Sequence, residues 1–224
     1  MIVLGIDTSA YANAVGLTDG DHILADATFP ARTDSLEQIV DNIDSVLKSA
    51  GLTLADVGGI GVGLGPGSWT GIRVGVTVGK MLAFASGKPV AGIPTLAALA
   101  FQAIGEGELV CAVIGAGTAN AIYAACYRAI EGSITMVGDY YTGNVTGLTE
   151  MLTGSGVLVG VEAERYRREA GLSEQKIRVV ETAPSGAAVA VLAARRLEKG
   201  DNDDVLSLTP LYLKESSAKA MKRS

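Results

Sequence analysis

The sequence predicts an α/β chain of two similar lobes, each with a mixed sheet and flanking helices. Short apolar runs bounded by turn formers alternate with longer runs of helical period. A strand–turn–strand–turn–strand order at residues 2–29 returns at residues 109–140. The 224 residues, 48% hydrophobic and 19% charged, are enough to bury a proper core and exclude disorder as the main state.

Ile2 to Asp7 is a short apolar run that ends in the polar turn formers Asp7-Thr8-Ser9. Ala12 to Leu17 follows, then the turn Thr18-Asp19-Gly20-Asp21 and a third strand from Ile23 to Phe29. Asp34 and Glu37 fit a capping-box start for a helix with Leu36, Ile39, Val40, Ile43 and Leu47 on one face, stopped by Gly51. Gly58 to Gly63 reads as a buried strand, the loop Gly65 to Gly71 leads into a helix to about Ser86, and Val90 to Ile93 is a strand. Pro94-Thr95 opens a helix through Ile104, and Gly105 to Glu108 marks a boundary. Leu109 to Ile114, Ala121 to Arg128 and Ser133 to Tyr140 then repeat the meander, with a turn from Gly115 to Asn120. Helix, strand, helix, strand and helix follow, with strands at Val157 to Val161 and Ile177 to Val180 and a last helix from Pro184 to Lys199. A duplicated meander with helices is the plan of the actin-like/Hsp70-like ATPase fold. The expected domains are residues 1–104, residues 105–213, and a basic tail at 214–224.

Composition narrows the function. A net charge of −6 lacks the basic face of a stand-alone nucleic-acid binder, so RNA would be reached only through a partner. A single histidine, His22, excludes histidine-rich metal cages and argues against a Ser-His-Asp triad. The longest apolar stretch, Ile72 to Ala85, carries Arg73 and Lys80 and is too short to cross a bilayer. With no signal-like start at Met1 to Asp7, a cytoplasmic location and no membrane contact are expected. Cys111 and Cys126 fall in strands flanking a turn near Gly117, either facing each other across a ladder or as buried reduced thiols.

Glycine is concentrated: nine of the 29 lie within residues 58–79. Neither a G-x-G-x-x-G register nor a P-loop is present, since Gly79-Lys80 is followed by Met81. Gly71, Gly75 and Gly79 recur every four residues, with Ala83 continuing the row, so they share one helix face. Each interior glycine costs roughly 0.5–1 kcal/mol relative to alanine, so the row implies close approach of another backbone. The other faces carry Ile72, Val74, Val76, Val78, Met81, Leu82 and Phe84. A helix apolar nearly all round is either internal or shared with another chain. Trp69 at its entrance is an interface anchor or core. The loop before it is either an anion site of free N–H groups or a tight turn that needs glycine.

Gly65-Pro66-Gly67-Ser68-Trp69-Thr70-Gly71-Ile72-Arg73-Val74-Gly75, with Ile6-Asp7-Thr8-Ser9, Pro94-Thr95-Leu96 and Pro210-Leu211-Tyr212-Leu213-Lys214, resembles the TsaB family. That family is the dimerisation subunit of the bacterial complex that makes N6-threonylcarbamoyladenosine at position 37 of tRNA. The resemblance is dense over 1–100, looser over 105–200, and returns near 210. The catalytic paralogue of that complex holds metal with a His-x-x-x-His pair, which this chain lacks. The resemblance therefore implies a non-catalytic subunit with no catalytic or metal residues. Its expected partners are the catalytic paralogue and a small ATPase subunit, with a homodimer when alone and tRNA only through the complex. The family's Ile-Asp-Ala-Arg reads here Ile114-Gly115-Ala116-Gly117, and its His-Ser reads Asp34-Ser35.

The expected partner interface is Trp69, Thr70, Gly71, Ile72, Val74, Gly75, Val78, Gly79 and Leu82, and Gly75→Leu is expected to abolish association while leaving the chain folded. Asp7, Thr8, Ser9, Gly67 and Ser68 form a candidate nucleotide or anion site, set against a purely structural Asp7-Thr8-Ser9 turn. No cofactor is expected on the chain alone, with a nucleotide at the partner interface left open. The alternative is a small ATP-dependent phosphotransferase or ATPase of the same fold using Asp7. A metalloprotease is remote with one histidine. The tail's Lys214, Lys219, Lys222 and Arg223 against Glu215 give +3, either touching tRNA or solvated. Arg165-Tyr166-Arg167-Arg168 among Glu162, Glu164 and Glu169 reads as a salt-bridged solvent face.

Overall fold

A computed structural model describes every residue except 11, 31–34, 119, 131–132 and 214–224. The capping-box reading of Asp34 and Glu37 and the basic tail fall outside what is described. The first half forms β1 (Ile2–Asp7), β2 (Ala12–Asp19), β3 (His22–Pro30), α1 (Ser35–Ser49), β4 (Gly59–Gly63), α2 (Trp69–Ser86), β5 (Val90–Ile93) and α3 (Thr95–Phe101). The second half forms β6 (Leu109–Gly115), β7 (Ala121–Ile130), β8 (Ser133–Asn144), α4 (Leu148–Met151), β9 (Gly156–Gly160), α5 (Ala163–Glu169), β10 (Ile177–Glu181) and α6 (Gly186–Leu197).

The two sheets have the same plan. Their orders are β3-β2-β1-β4-β5 and β8-β7-β6-β9-β10. In each, the meander is antiparallel and the last two strands add in parallel. Helices are exchanged between the halves. α6, from the end of the chain, packs on β1, β2, β4 and β5, while α3 packs on β6 and β7 and touches α6. One core therefore joins Val3 and Ile93 of the first sheet, Val110 and Val159 of the second, and Leu96, Leu99, Val189 and Leu192 of the two helices. Period-two alternation in β1 sends Val3 to this central layer and Leu4 and Ile6 to the opposite core under α1 and α2.

Helix α6 sits almost backbone to backbone on the first sheet. A Cβ on Gly16 would lie 2.1 Å from the Ala187 nitrogen, and one on Gly5 would lie 2.1 Å from the Gly186 oxygen. On Gly61 of β4 it would meet the Ala193 Cβ at 2.7 Å. Asp26 of β3 closes this contact by accepting from the Ala187 amide and the Ser185 hydroxyl at the start of α6.

Two expected helices are shorter in the structure. α3 ends at Phe101, not Ile104, because the Gln102 and Ala103 amides turn back to Leu99 and Ala100. The helix expected after β8 is a 3-10 turn at Val145–Gly147, capped by Asn144, and the single turn α4. Among the described residues no helix is long and apolar enough to cross a membrane.

The α6 contact yields a contrast. Gly16→Ala should lower stability by about 1–3 kcal/mol or more through overpacking against backbone that has nowhere to move. Gly154→Ala, with nothing within 4 Å of the added carbon, should stay within about 0.5 kcal/mol of the parent. Urea unfolding of both variants checks the difference.

Candidate functional site

The loops expected to form a nucleotide or anion site are instead tied to one another. Asp7 is fully buried at the end of β1. Its Oδ1 accepts from the Ser9 amide at 2.8 Å and the Ser9 hydroxyl at 2.5 Å, and its Oδ2 accepts from the Thr95 hydroxyl at 2.7 Å. Thr95 Oγ1 in turn accepts from the Gly65 amide, and the Thr95 amide donates to the Gly65 carbonyl. The Ser68 amide donates to the Ser9 carbonyl, the Thr8 hydroxyl to the Gly71 carbonyl, and the Gly71 amide to Ser68 Oγ, the α2 cap. A Cβ on Gly67 would lie 2.2 Å from the Ser9 oxygen, so this loop needs glycine for close approach. Asp7, Thr8, Ser9 and Ser68 thus make internal hydrogen bonds, and Gly67 packs against Ser9. The bonds are those of the structural reading of Asp7-Thr8-Ser9 and of the tight-turn reading of the loop. Burial holds the Asp7 carboxyl above the usual carboxylate range, despite hydrogen bonds from Ser9 and Thr95 that pull the other way.

Helix α2 has two faces, and the glycine row is on the inner one. A Cβ on Gly71 would lie 2.0 Å from the Thr8 oxygen, on Gly75 2.3 Å from Thr8 Oγ1, and on Gly79 2.2 Å from Val62 Cγ2. What approaches is this chain's own: the Thr8 backbone at Gly71, and the Thr8 and Val62 side chains at Gly75 and Gly79. Ile72, Val74, Val78 and Gly79 are buried with Gly75; Trp69, Gly71 and Leu82 are half-buried, and only Thr70 of the expected interface is exposed. Gly75→Leu would therefore strike Thr8 and the fold itself, which corrects the expectation that the variant stays folded. The outward stripe is Thr70, Arg73, Thr77, Met81 and Phe84, at helical spacing. Met81 is 63% and Phe84 70% exposed. The helix is neither wholly internal nor polar outside.

The chain end adds residues that local sequence could not place here. Lys80 Nζ donates to the carbonyls of Leu206 and Leu208, and the Leu211 amide donates to the Leu64 carbonyl. Arg196 pairs with Asp201 and Asp203, and Asp203 accepts from the Gly92 amide at the edge strand β5. These bonds lay residues 201–212 across the edge of the first sheet and along α2. Tyr212 reaches Trp69, with ring centroids 4.2 Å apart, and Arg73 covers the Trp69 ring while its Nε donates to Tyr212 Oη. Half-buried Trp69 is thus part of an exposed aromatic–arginine cluster. Leu206, 75% exposed, is held near α2 through its carbonyl, which accepts from Lys80. The signal for this stripe was the spacing of Arg73, Thr77, Met81 and Phe84. Tyr212 had no local signal beyond its motif.

Other singled-out residues have structural roles. Arg165 bridges Glu162 and Glu169 on the surface of α5, as expected, but Arg167 is buried and bound to Glu164, Glu174 and the Leu172 carbonyl. His22 is exposed on β3. At Gly115, an added Cβ would lie 2.9 Å from Tyr166 Oη. Among the described residues no group of three or more His, Cys, Asp or Glu side chains is placed to hold a metal ion.

Two mixed sheets of one strand order, with flanking helices, define the actin-like ATPase fold. The ROK hexokinase of Thermus thermophilus shares it, with a TM-score of 0.51 at 14% identity over 89% of this chain and 100% of that one. YeaZ from Pseudomonas aeruginosa matches with a TM-score of 0.81 at 24% identity, over 95% of this chain and 99% of that one. The family model described as "TsaD: tRNA N6-adenosine threonylcarbamoyltransferase" matches residues 30–221, and the chain belongs to that family. The tRNA threonylcarbamoyladenosine biosynthesis protein TsaB of Bacillus subtilis is 32% identical over 100 residues, which is 45% of this chain and 44% of that protein. The match therefore spans less than half the length of that curated relative, and the expected resemblance to TsaB is borne out.

Two measurements probe the Asp7 network. Thr95→Val removes the hydroxyl that serves both Asp7 Oδ2 and the Gly65 amide, leaving two buried groups unpaired; unfolding free energy should fall by about 2–4 kcal/mol, and Thr95→Ser should restore most of it. Because the Asp7 pKa is raised on folding, its contribution is fully present below the unfolded carboxylate value and is lost as pH rises through the folded value. Melting temperatures across the acidic range should show the parent gaining on Asp7→Asn as pH falls. A pH-independent difference would contradict this.

Proposed function

We propose that this chain is a non-catalytic assembly subunit that dimerises with the catalytic threonylcarbamoyltransferase and supports it in forming N6-threonylcarbamoyladenosine at position 37 of tRNA. The observation that carries the reading is the outward face of α2. Phe84 is one of only three phenylalanines in the chain, yet it lies open to solvent one helical turn from exposed Met81. Apolar side chains grouped on one exposed helix face suit a protein partner, and the adjacent Trp69–Arg73–Tyr212 cluster holds the residue types that dominate interface energetics. Family membership and the similarity to TsaB support the pathway. The lone histidine His22, exposed on β3, supports a chain that leaves metal chemistry to its partner.

In this reading the small ATPase subunit joins through the assembled pair, tRNA is met only in the complex, and the location is cytoplasmic. Any nucleotide would lie at the partner interface. Alone, the chain covers the α2 face by self-pairing as a homodimer. The competing reading is a small ATP-dependent phosphotransferase with Asp7 binding metal-nucleotide. It is disfavoured by an Asp7 whose two oxygens already accept three hydrogen bonds.

Phe84→Glu should weaken binding to the catalytic threonylcarbamoyltransferase at least 30-fold, about 2 kcal/mol, and leave the secondary structure of the chain unchanged by circular dichroism because the side chain lies outside the core. Titration calorimetry with the two purified chains reads the affinity. Unchanged binding would remove α2 as the docking face. Mg-ATP turnover by the chain alone that vanishes in Asp7→Ala would favour the phosphotransferase.

A further inference from the structure

Cys111 on β6 stands directly opposite Cys126 on β7, and both are free, buried thiols. They point away from the central layer, into the core under α4 and α5. Their place in the ladder follows from the hairpin end. The Ala116 amide donates to the Ala121 carbonyl, which makes 116 and 121 a hydrogen-bonded pair. The register runs without a slip back to Leu109 opposite Arg128. Hydrogen-bonded and non-hydrogen-bonded pairs alternate along antiparallel strands, so Cys111 and Cys126, five steps back, form a non-hydrogen-bonded pair. At such pairs the Cα atoms come to about 4.5 Å and the side chains are closest. A disulfide takes Cα separations of about 4.4–6.8 Å. Next to the Cys111 thiol the Cys126 pKa lies below its ordinary value, while Cys126 and burial push Cys111 up; the Cys126 thiol also faces the Met151 carbonyl at 3.9 Å.

We propose that Cys111 and Cys126 are a redox pair that closes to a reversible intrachain disulfide under a two-electron oxidant of the peroxide class. The Cys126 thiolate attacks one peroxide oxygen, the O–O bond breaks, and hydroxide leaves to take up a proton as water. Cys126 is then a sulfenic acid. The Cys111 sulfur attacks the Cys126 sulfur, the S–O bond breaks, and the departing oxygen leaves as a second water carrying the Cys111 proton. In sum, two thiols lose two protons and two electrons, and one hydrogen peroxide becomes two waters. Cys126 reacts first because its thiolate is the more available and its side chain the less deeply buried of the two. The bond staples residues 112–125 into a closed hairpin in the register the strands already hold, so it restricts the unfolded chain without reshaping the folded one.

The test treats the full chain, reduced and freed of reductant, with hydrogen peroxide, then unfolds it in guanidinium with iodoacetamide and weighs it intact. The untreated chain should take up two alkyl groups. The treated chain should take up none, be lighter by two hydrogens, yield a linked 111–126 peptide, and revert with dithiothreitol. Retention of both alkylation sites, conversion of one sulfur to a sulfinic acid, or a covalent dimer would each overturn the proposal. A second readout needs no variant: oxidation should raise the melting temperature by several degrees and dithiothreitol should return it. A lowered melting temperature would mean a bond strained onto a pair that was not preformed, and would overturn it too. Cys111→Ala should keep one alkylation site and lose the dithiothreitol-sensitive shift.

Discussion

The first lobe is organised around one buried carboxylate. Asp7 ends β1, and its two oxygens fix the turn through Ser9 and the start of α3 through Thr95. Thr95 passes the constraint to Gly65, and Ser9 passes it to Ser68, the cap of α2. Burying an ionisable group is costly unless its hydrogen-bonding capacity is met, and here three donors meet it. An acid in this position is therefore a joint between β1, α3 and the loop before α2. The same bonds that make it a joint occupy both of its oxygens.

Two close approaches complete that frame. α6 returns from the far end of the chain to lie on the first sheet where Gly5, Gly16 and Gly61 carry no side chain. α2 lies on the opposite face, with its glycine row over Thr8 and Val62. The sheet is thus held between two helices that come unusually close, α6 backbone to backbone and α2 over the Thr8 and Val62 side chains. With its inner face committed, α2 has only the stripe from Thr70 to Phe84 left to offer, and that stripe turns apolar at Met81 and Phe84 where a solvated helix would be polar. The chain end, pinned by Lys80 and Arg196, brings Leu206 and Tyr212 to the same surface. The surface that suits a partner is a by-product of how the core is closed.

Much of this was legible in the residues. Strand boundaries at Ile2–Asp7 and Val90–Ile93 and the extent of α2 match the apolar runs and their flanking glycines, because burial of a two-faced strand or helix imposes its period directly on the sequence. The repeat of the meander showed the duplicated plan. The interface was the weaker inference. A glycine row announces that a backbone comes close, but spacing alone carries no information on whether that backbone belongs to the same chain. Arg167 shows the same limit: a basic run on a short helix looks solvent-facing until a carbonyl and two carboxylates from different turns close around it.

By itself, then, the sequence determined the α/β class, the two-lobed duplication, the element order and the lack of a histidine pair. These depend on period, composition and turn chemistry, which are local. Only the tertiary structure decided which half each helix serves, that the glycines of α2 face inward, that Asp7 is a joint, and that Cys111 and Cys126 share a non-hydrogen-bonded rung. Each of those turns on contacts between residues far apart in the chain, and which of several chemically suitable partners a residue meets is set by how the layers close around it.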